Sequence, residues 1–212
     1  MELFNYFRSS ASYRVRIALA LKGLDYVYRP VHLLKGEQLQ ASYAAVSATR
    51  LVPLLKDEGQ LLSQSLAIIE YLDETHPEPP LLPADAAGRA RVRSLALDVA
   101  CEIHPLINLR ALSYLVKDLG VDEQAKLRWL RHWVESGLAA LEQRLAGDAA
   151  TGRFCHGDRP GLADCVLVPQ IFSARRFDCR LDHVPTVMRI YESCMAEAAF
   201  AGSQPSECPD AF

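Results

Sequence analysis

His76-Pro77-Glu78-Pro79-Pro80-Leu81-Leu82-Pro83 places four prolines within seven positions. Proline lacks an N–H and pushes its predecessor out of the helical region, so neither helix nor sheet passes through this stretch. Composition changes once along the 212 residues, and it changes here, so the stretch reads as a linker between domains at 1–80 and 87–212. Before it, strand and helix signals alternate. Leu3-Phe4-Asn5-Tyr6 suits a short strand, and Ser12 to Leu21 reads as a helix that Gly23 stops. Tyr26 to Val31 is β-rich, with Pro30 suggesting an edge. Glu37 to Ala45 reads as a short helix. Val52 to Lys56 and Leu61-Leu62 flank a turn at Asp57-Glu58-Gly59-Gln60, and Leu66 to Glu74 is strongly helical. The order βαβ(α)ββα describes a small open sheet carrying helices. Four short strands and the lack of G-x-G-x-x-G argue against a dinucleotide-binding sheet. After the linker, Arg89–Val116, Glu123–Leu145, Leu162–Phe177 and Val184–Ala201 all carry helix-period apolar residues, and the tail from Ser203 reads as irregular. Gly161 caps the third of these, with Asp164 reaching back to it. The expected fold class is an α/β N-terminal domain followed by a larger all-α domain.

Composition removes several functions. Half of the residues are apolar and 23% are charged, which is ordinary globular usage. Lys+Arg is 23 and Asp+Glu is 26, a net charge of −3, so there is no basic footprint for nucleic acid. No apolar run approaches the ~20 residues that cross a bilayer. Residues 1–20 do not read as a signal peptide, because Arg8, Arg14 and Arg16 interrupt every apolar stretch. The six cysteines and six histidines are scattered, with no C-x-x-C and no H-x-H, so no metal site is expected. Free thiols point to the cytoplasm.

Three stretches of the first domain carry polar residues placed for chemistry. Arg8-Ser9-Ser10-Ala11-Ser12 joins the first strand to the first helix. Ser12 there reads as a cap, whereas an exposed hydroxyl at Ser9 can donate to an anion that the helix dipole also favours. Val52-Pro53 enters a strand, and a cis bond at this point leaves the Val52 N–H and C=O free to pair with an extended peptide. Gln64-Ser65 opens the last helix of the domain, where the Ser65 hydroxyl and N–H suit a carboxylate. Beyond the linker, His104 and Asn108 stand four apart and share a face of one helix. Trp129 and Trp133, also four apart, read as core, and Cys101 reads as a small hydrophobe.

On these residues the chain resembles a zeta-class glutathione transferase of the maleylacetoacetate/maleylpyruvate isomerase family. Arg8 to Leu19 resembles the signature S-S-C-S-x-R-V-R-I-A-L, with Ala11 standing where the family has Cys. Val52-Pro53 resembles the cis-proline loop, preceded by Ser47-Ala48 in place of Asn-Pro. Ser63-Gln64-Ser65 resembles the glutathione-carboxylate motif. Leu162-Ala163-Asp164, Val168-Pro169-Gln170 and Ala174-Arg175-Arg176-Phe177 resemble the later helical motifs, with Gly161 at the usual Ser/Thr cap.

The resemblance implies a thioredoxin-like N-terminal domain that binds glutathione, a helical glutathione-transferase C-terminal domain that binds substrate, and a homodimer. It implies cis–trans isomerisation of a dicarboxylic cis-enedione from aromatic catabolism, maleylacetoacetate (tyrosine degradation) or maleylpyruvate (gentisate pathway). A thiolate adds at the double bond, the bond becomes rotatable, and elimination returns the trans isomer. That chemistry needs a stabilised thiolate, two carboxylate clamps and stabilisation of an enolate. Ser9 is the expected thiolate donor, with Ser10 as the alternative. Arginine forks match carboxylates, which makes Arg8, Arg110 and Arg176 the expected clamps, with Arg8 and Arg176 closest to the chemistry. Glutathione contacts are expected from Ser9, Val52, Pro53, Gln64, Ser65, His104 and Asn108. A general transferase acting on small electrophiles or α-halo acids would need the same thiolate but no clamps. A binding module without activity would have no use for the intact Ser9, Gln64 and Ser65.

Overall fold

The computed structural model describes residues 1–211, and they divide into two compact units, 1–81 together with 196–211, and Leu82–Met195. The first unit is a four-stranded sheet with strand order β2-β1-β3-β4, built from β1 (Glu2–Asn5), β2 (Val27–Pro30), β3 (Leu54–Asp57) and β4 (Gln60–Ser63). β2 runs parallel to β1 and β3 antiparallel to it, with Leu3 opposite both Tyr28 and Leu55. β2 is an edge strand, as Pro30 requires. β3 and β4 form a hairpin whose two loop residues, Glu58 (φ 46) and Gly59 (φ 82), both lie at positive φ. That is the turn whose twist matches paired strands.

α1 (Ser10–Leu21) packs on α3 (Ser65–Thr75). α1 ends as the glycine predicts: Gly23 sits at φ 63, its N–H reaches Ala20 O and the Leu24 N–H reaches Leu19 O. Leu3, Ile17, Leu55, Ile68 and Leu72 form the completely buried centre of this unit. The expected helix over Glu37–Ala45 shrinks to α2 (Ala41–Ala44), preceded by 3-10 turns at Leu33–Lys35 and Glu37–Leu39. Gly36 at φ 73 and the extended Gln40 interrupt it. The start of the linker is fastened rather than loose. The buried Lys22 ammonium donates to Asp73 Oδ1 at 2.6 Å, His76 O at 2.7 Å and Pro79 O at 2.8 Å, and Asp73 Oδ1 also accepts the Leu81 N–H. All three donors of this lysine are used, which is the condition for burying it.

The second unit is helical: α4 (Ala86–Leu97), α5 (His104–Ile107), α6 (Leu109–Lys117), α7 (Glu123–Ala146), α8 (Leu162–Arg176) and α9 (Pro185–Met195). Leu130, Val134, Leu138, Leu141 and Leu145 make the buried stripe of α7. α8 is buried along most of its length. The single helix expected over Arg89–Val116 is broken twice. A π-helical turn at Asp98–Ile103 precedes Pro105, and its wider backbone relieves the clash a proline ring makes with the carbonyl four residues earlier. Gly137 of α7 approaches this turn so closely that a Cβ there would lie 2.4 Å from Ile103. The second break is Asn108, whose ψ of 160° is extended.

The helix expected over Val184–Ala201 stops at Met195, because Glu197 is extended. Residues 196–211, assigned from sequence to the helical domain, group instead with the first unit. α10 (Ala198–Ala201) packs on α1, and the Tyr13 hydroxyl donates to Phe200 O at 3.2 Å. Among the described residues, no helix is long and apolar enough to cross a membrane.

Candidate active site

Strand register brings three of the expected stretches to one end of the sheet. Phe4, next to the end of β1, lies opposite Leu54, the first residue of β3, and Leu54 lies opposite Ser63, the last residue of β4. The turn carrying Ser9, the Val52-Pro53 loop and Gln64-Ser65 therefore emerge together.

Ser9, not Ser12, is the cap of α1. Its backbone is extended (φ −70, ψ 117) and its Oγ accepts the Ser12 N–H at 3.2 Å. The hydroxyl proton of Ser9 remains available for a second partner, since an alcohol both accepts and donates. Ser12 is completely buried, and its Oγ lies 3.5 Å from the Tyr6 N–H. It could not serve as an exposed cap because it sits in the third position of the helix, facing the strand. Ser10 is the first residue of α1 and half-buried. Arg8 is half-buried with its guanidinium 4.8 Å from the Phe7 ring centroid and Nη2 3.5 Å from the Tyr6 hydroxyl.

The Val52-Pro53 peptide is cis. Neither the Val52 N–H nor its C=O is hydrogen-bonded among the described residues. Gln64 has φ 71 and ψ 114, a strained backbone for a residue with a side chain, on the order of 1–3 kcal/mol. Its side chain is exposed at the mouth of α3. Ser65 behind it is 6% exposed, and its Oγ accepts from Arg14 Nη1 at 3.1 Å. Arg14 is 3% exposed and places a cation under the N-terminus of α3, whose free N–H groups already favour an anion. Sequence reasoning missed Arg14. Its only signal was an arginine embedded in an otherwise apolar helix face.

In the helical unit, His104 is half-buried at the start of α5. Asn108 does not continue that helix. It caps α6, its Oδ1 accepting the Ala111 N–H at 2.9 Å, so His104 and Asn108 do not share a helical face as expected. Arg110 is exposed on α6. Arg176 is the exposed last residue of α8, its guanidinium 4.9 Å from the Phe177 ring centroid. Arg175 lies against Tyr191 at 4.5 Å and donates to its hydroxyl at 3.4 Å. The two arginines thus have different neighbours, as adjacent helix positions must. Trp129 and Trp133 pair edge-to-face at 5.6 Å, but Trp129 is 37% exposed and donates to Leu106 O, so they form a surface cluster rather than core. Cys101 is a free, exposed cysteine.

The glutathione S-transferase N-terminal domain family matches residues 3–80, and the corresponding C-terminal domain family matches residues 123–180. The maleylacetoacetate isomerase of Pseudomonas aeruginosa is 50% identical over 99% of this chain and 98% of its own. Among solved structures, a holo maleylpyruvate isomerase, described as a bacterial zeta-class glutathione S-transferase, superposes with a TM-score of 0.98 at 48% identity over the whole of both chains. The maleylacetoacetate isomerase of Anaeromyxobacter dehalogenans 2CP-1, with glutathione bound in its active site, gives 0.89 at 47% identity, covering 100% of this chain and 97% of that one. A thioredoxin-like sheet unit, a helical unit and near full-length identity at this level place the chain in the zeta-class glutathione transferases, within the maleylacetoacetate/maleylpyruvate isomerase family.

Proposed function

We propose that the protein is a glutathione-dependent cis–trans isomerase of a dicarboxylic cis-enedione. The observation that carries this reading is the single sheet end where the Ser9 hydroxyl, the unbonded Val52 peptide and the Ser65–Arg14 carboxylate pocket emerge together. These groups fit glutathione at three separate points. An extended peptide pairs with the Val52 N–H and C=O across cis-Pro53. A terminal carboxylate suits the N-terminus of α3, with Gln64 beside it and Arg14 beneath. Glutathione supplies the thiolate that adds to the double bond and later leaves it.

Ser9 donates to that sulfur while its own oxygen is pinned by the Ser12 N–H, and the N-terminus of α1 adds a partial positive charge. This fixed orientation favours Ser9 over Ser10 as the donor. Arg8, Arg110 and Arg176 bind the substrate carboxylates, and His104 and Asn108 contribute further polar contacts. Relatives named for maleylacetoacetate and for maleylpyruvate are similar at nearly equal identity, 50% and 48%, and both substrates are cis-enedione dicarboxylates. Maleylacetoacetate, of tyrosine degradation, is the first to assay. The reading includes a homodimer in the cytoplasm, and a light-scattering mass of one chain, 23.5 kDa, would contradict the dimer.

Millimolar glutathione raises the melting temperature, as any ligand specific for the folded state does. Gln64→Ala and Ser65→Ala weaken the shift. An unmoved melting curve for the unsubstituted protein would sink the proposal. Ser9→Ala loses a hydrogen bond to a charged sulfur, roughly 1.5–3 kcal/mol, and lowers turnover about 10- to 150-fold without unfolding the chain. Full activity in Ser9→Ala, with loss in Ser10→Ala, would transfer the role to Ser10.

A further inference from the structure

We infer that Arg16 is a positioning residue of the glutathione site: together with the C-terminal segment 196–211 it holds the turn that carries Arg8 and Ser9, and so sets the ionisation of the bound thiol. The inference rests on the glutathione reading above and adds to it a residue and a segment outside the groups assigned there to glutathione.

Arg16 is 2% exposed. Its Nε donates to Ser203 O at 3.2 Å, Nη1 to Asn5 Oδ1 at 3.1 Å and Nη2 to Phe7 O at 2.9 Å. Each of the three nitrogens thus holds a different piece of chain: the C-terminal segment, the last residue of β1, and the turn two residues before Ser9. A buried guanidinium whose three hydrogen bonds go to neutral oxygens, with the Tyr13 ring centroid 5.2 Å away, is costly to desolvate, so its bonds must be well directed to keep it there. The planar fork makes that direction rigid.

A second set of contacts runs the same way. Cys208 packs in one buried cluster with Tyr6 and Phe7, and Val52 borders that cluster. The segment therefore bears on the Ser9 turn and on the peptide-pairing loop at once. The Tyr28 hydroxyl donates to Asp210 and further ties the segment to β2. Between the segment and the second half of α1 lies a half-open pocket of about 300 Å³, lined by Ala20, Leu24, Tyr26, Gly202 and Cys208 among others. Beside this pocket, the ties from Arg16 and Tyr28 supplement the packing of Phe200 and Cys208 in holding the segment. A hydrogen bond to a thiolate is productive only within about 0.5 Å and 10–20° of its best geometry, so slack at Phe7 weakens the Ser9 contact and raises the thiol pKa.

The test uses the full chain with Arg16→Lys, Cys208→Ala and Tyr28→Phe. Lysine keeps the charge but cannot span three separated acceptors. Bound thiolate is followed by its ultraviolet band against pH, alongside the pH profile of kcat. In Arg16→Lys the apparent pKa of the bound thiol rises by about one unit, so kcat near neutrality falls about tenfold and recovers in alkali. Cys208→Ala and Tyr28→Phe move the same way by less. Should Arg16→Lys fail to fold, the other two variants decide. Folded variants that bind glutathione with the thiol pKa and kcat profile of the unsubstituted protein would overturn the inference and leave the glutathione site standing. An unsubstituted protein that binds no glutathione would overturn the site itself.

Discussion

Arg176→Ala lowers kcat/KM for a dicarboxylic cis-enedione by ~2–5 kcal/mol, roughly thirtyfold to several thousandfold, where bound substrate desolvates the exposed guanidinium, and by much less where water remains. Conjugation of an uncharged electrophile is nearly unchanged, because the glutathione site proposed above draws on Ser9, Val52 and Gln64-Ser65, not on Arg176. A carboxylate that must stay oriented while a bond rotates calls for two parallel hydrogen bonds, which a guanidinium makes and an ammonium does not. Arg176→Lys therefore recovers only part of the loss. Arg175→Ala is the control. It leaves turnover intact, yet costs about 0.5–1 kcal/mol of stability, because Arg175 rests on the Tyr191 ring at 4.5 Å. Measuring kcat/KM for both substrate types in the three variants separates the outcomes. Equal losses for charged and uncharged substrates would make Arg176 a support of the fold or of the glutathione site, and a general transferase would become the better reading.

The features legible in the sequence are those set by local backbone chemistry. Gly23 announces a left-handed helix stop, Pro30 an edge strand, Glu58-Gly59 a tight hairpin and Gly161 with Asp164 a helix start, and each occupies that role. Each depends on neighbours within a few residues. The breaks around α5 were hidden for the opposite reason. Apolar periodicity continues through 98–116, so nothing in the pattern distinguishes a helical Asn108 from one that caps a new helix. Arg14 and Arg16 were hidden by their charge, since charged residues flanking an apolar face ordinarily lie in water. Their partners Ser65 and Ser203 O stand 51 and 187 residues away, and only the folded chain brings them in. The C-terminal segment was opaque for the same reason. Its prolines suggest irregular backbone and say nothing of the surface it covers.

Asp164→Ala destabilises the folded chain by ~2–5 kcal/mol, a fall in melting temperature of roughly 5–15 °C at this chain length. Asp164 is 1% exposed. Its Oδ2 accepts the Gly161 N–H and its Oδ1 the Cys155 N–H, both at 2.9 Å. One carboxylate thus closes the start of α8 and anchors the loop before it. Alanine leaves the buried Cys155 N–H and the half-buried Gly161 N–H with no acceptor, and each costs ~1–3 kcal/mol, least where water reaches it. Asparagine keeps one acceptor and turns an amide donor toward the other N–H, so Asp164→Asn is also destabilised, by less. The pH dependence follows from burial, which raises the carboxyl pKa of Asp164 above its usual value and outweighs the backbone donors that lower it. A carboxyl whose pKa is raised by folding stabilises fully below the unfolded pKa, about 3.9, and loses that stability as pH climbs through the folded value. Asn does not titrate. The stability gap between the unsubstituted protein and Asp164→Asn is therefore widest in acid and narrows toward neutrality, as denaturant titrations at successive pH values would show. A gap that widens instead would mean that the Gly161 and Cys155 N–H groups hold the carboxylate more strongly than burial opposes it.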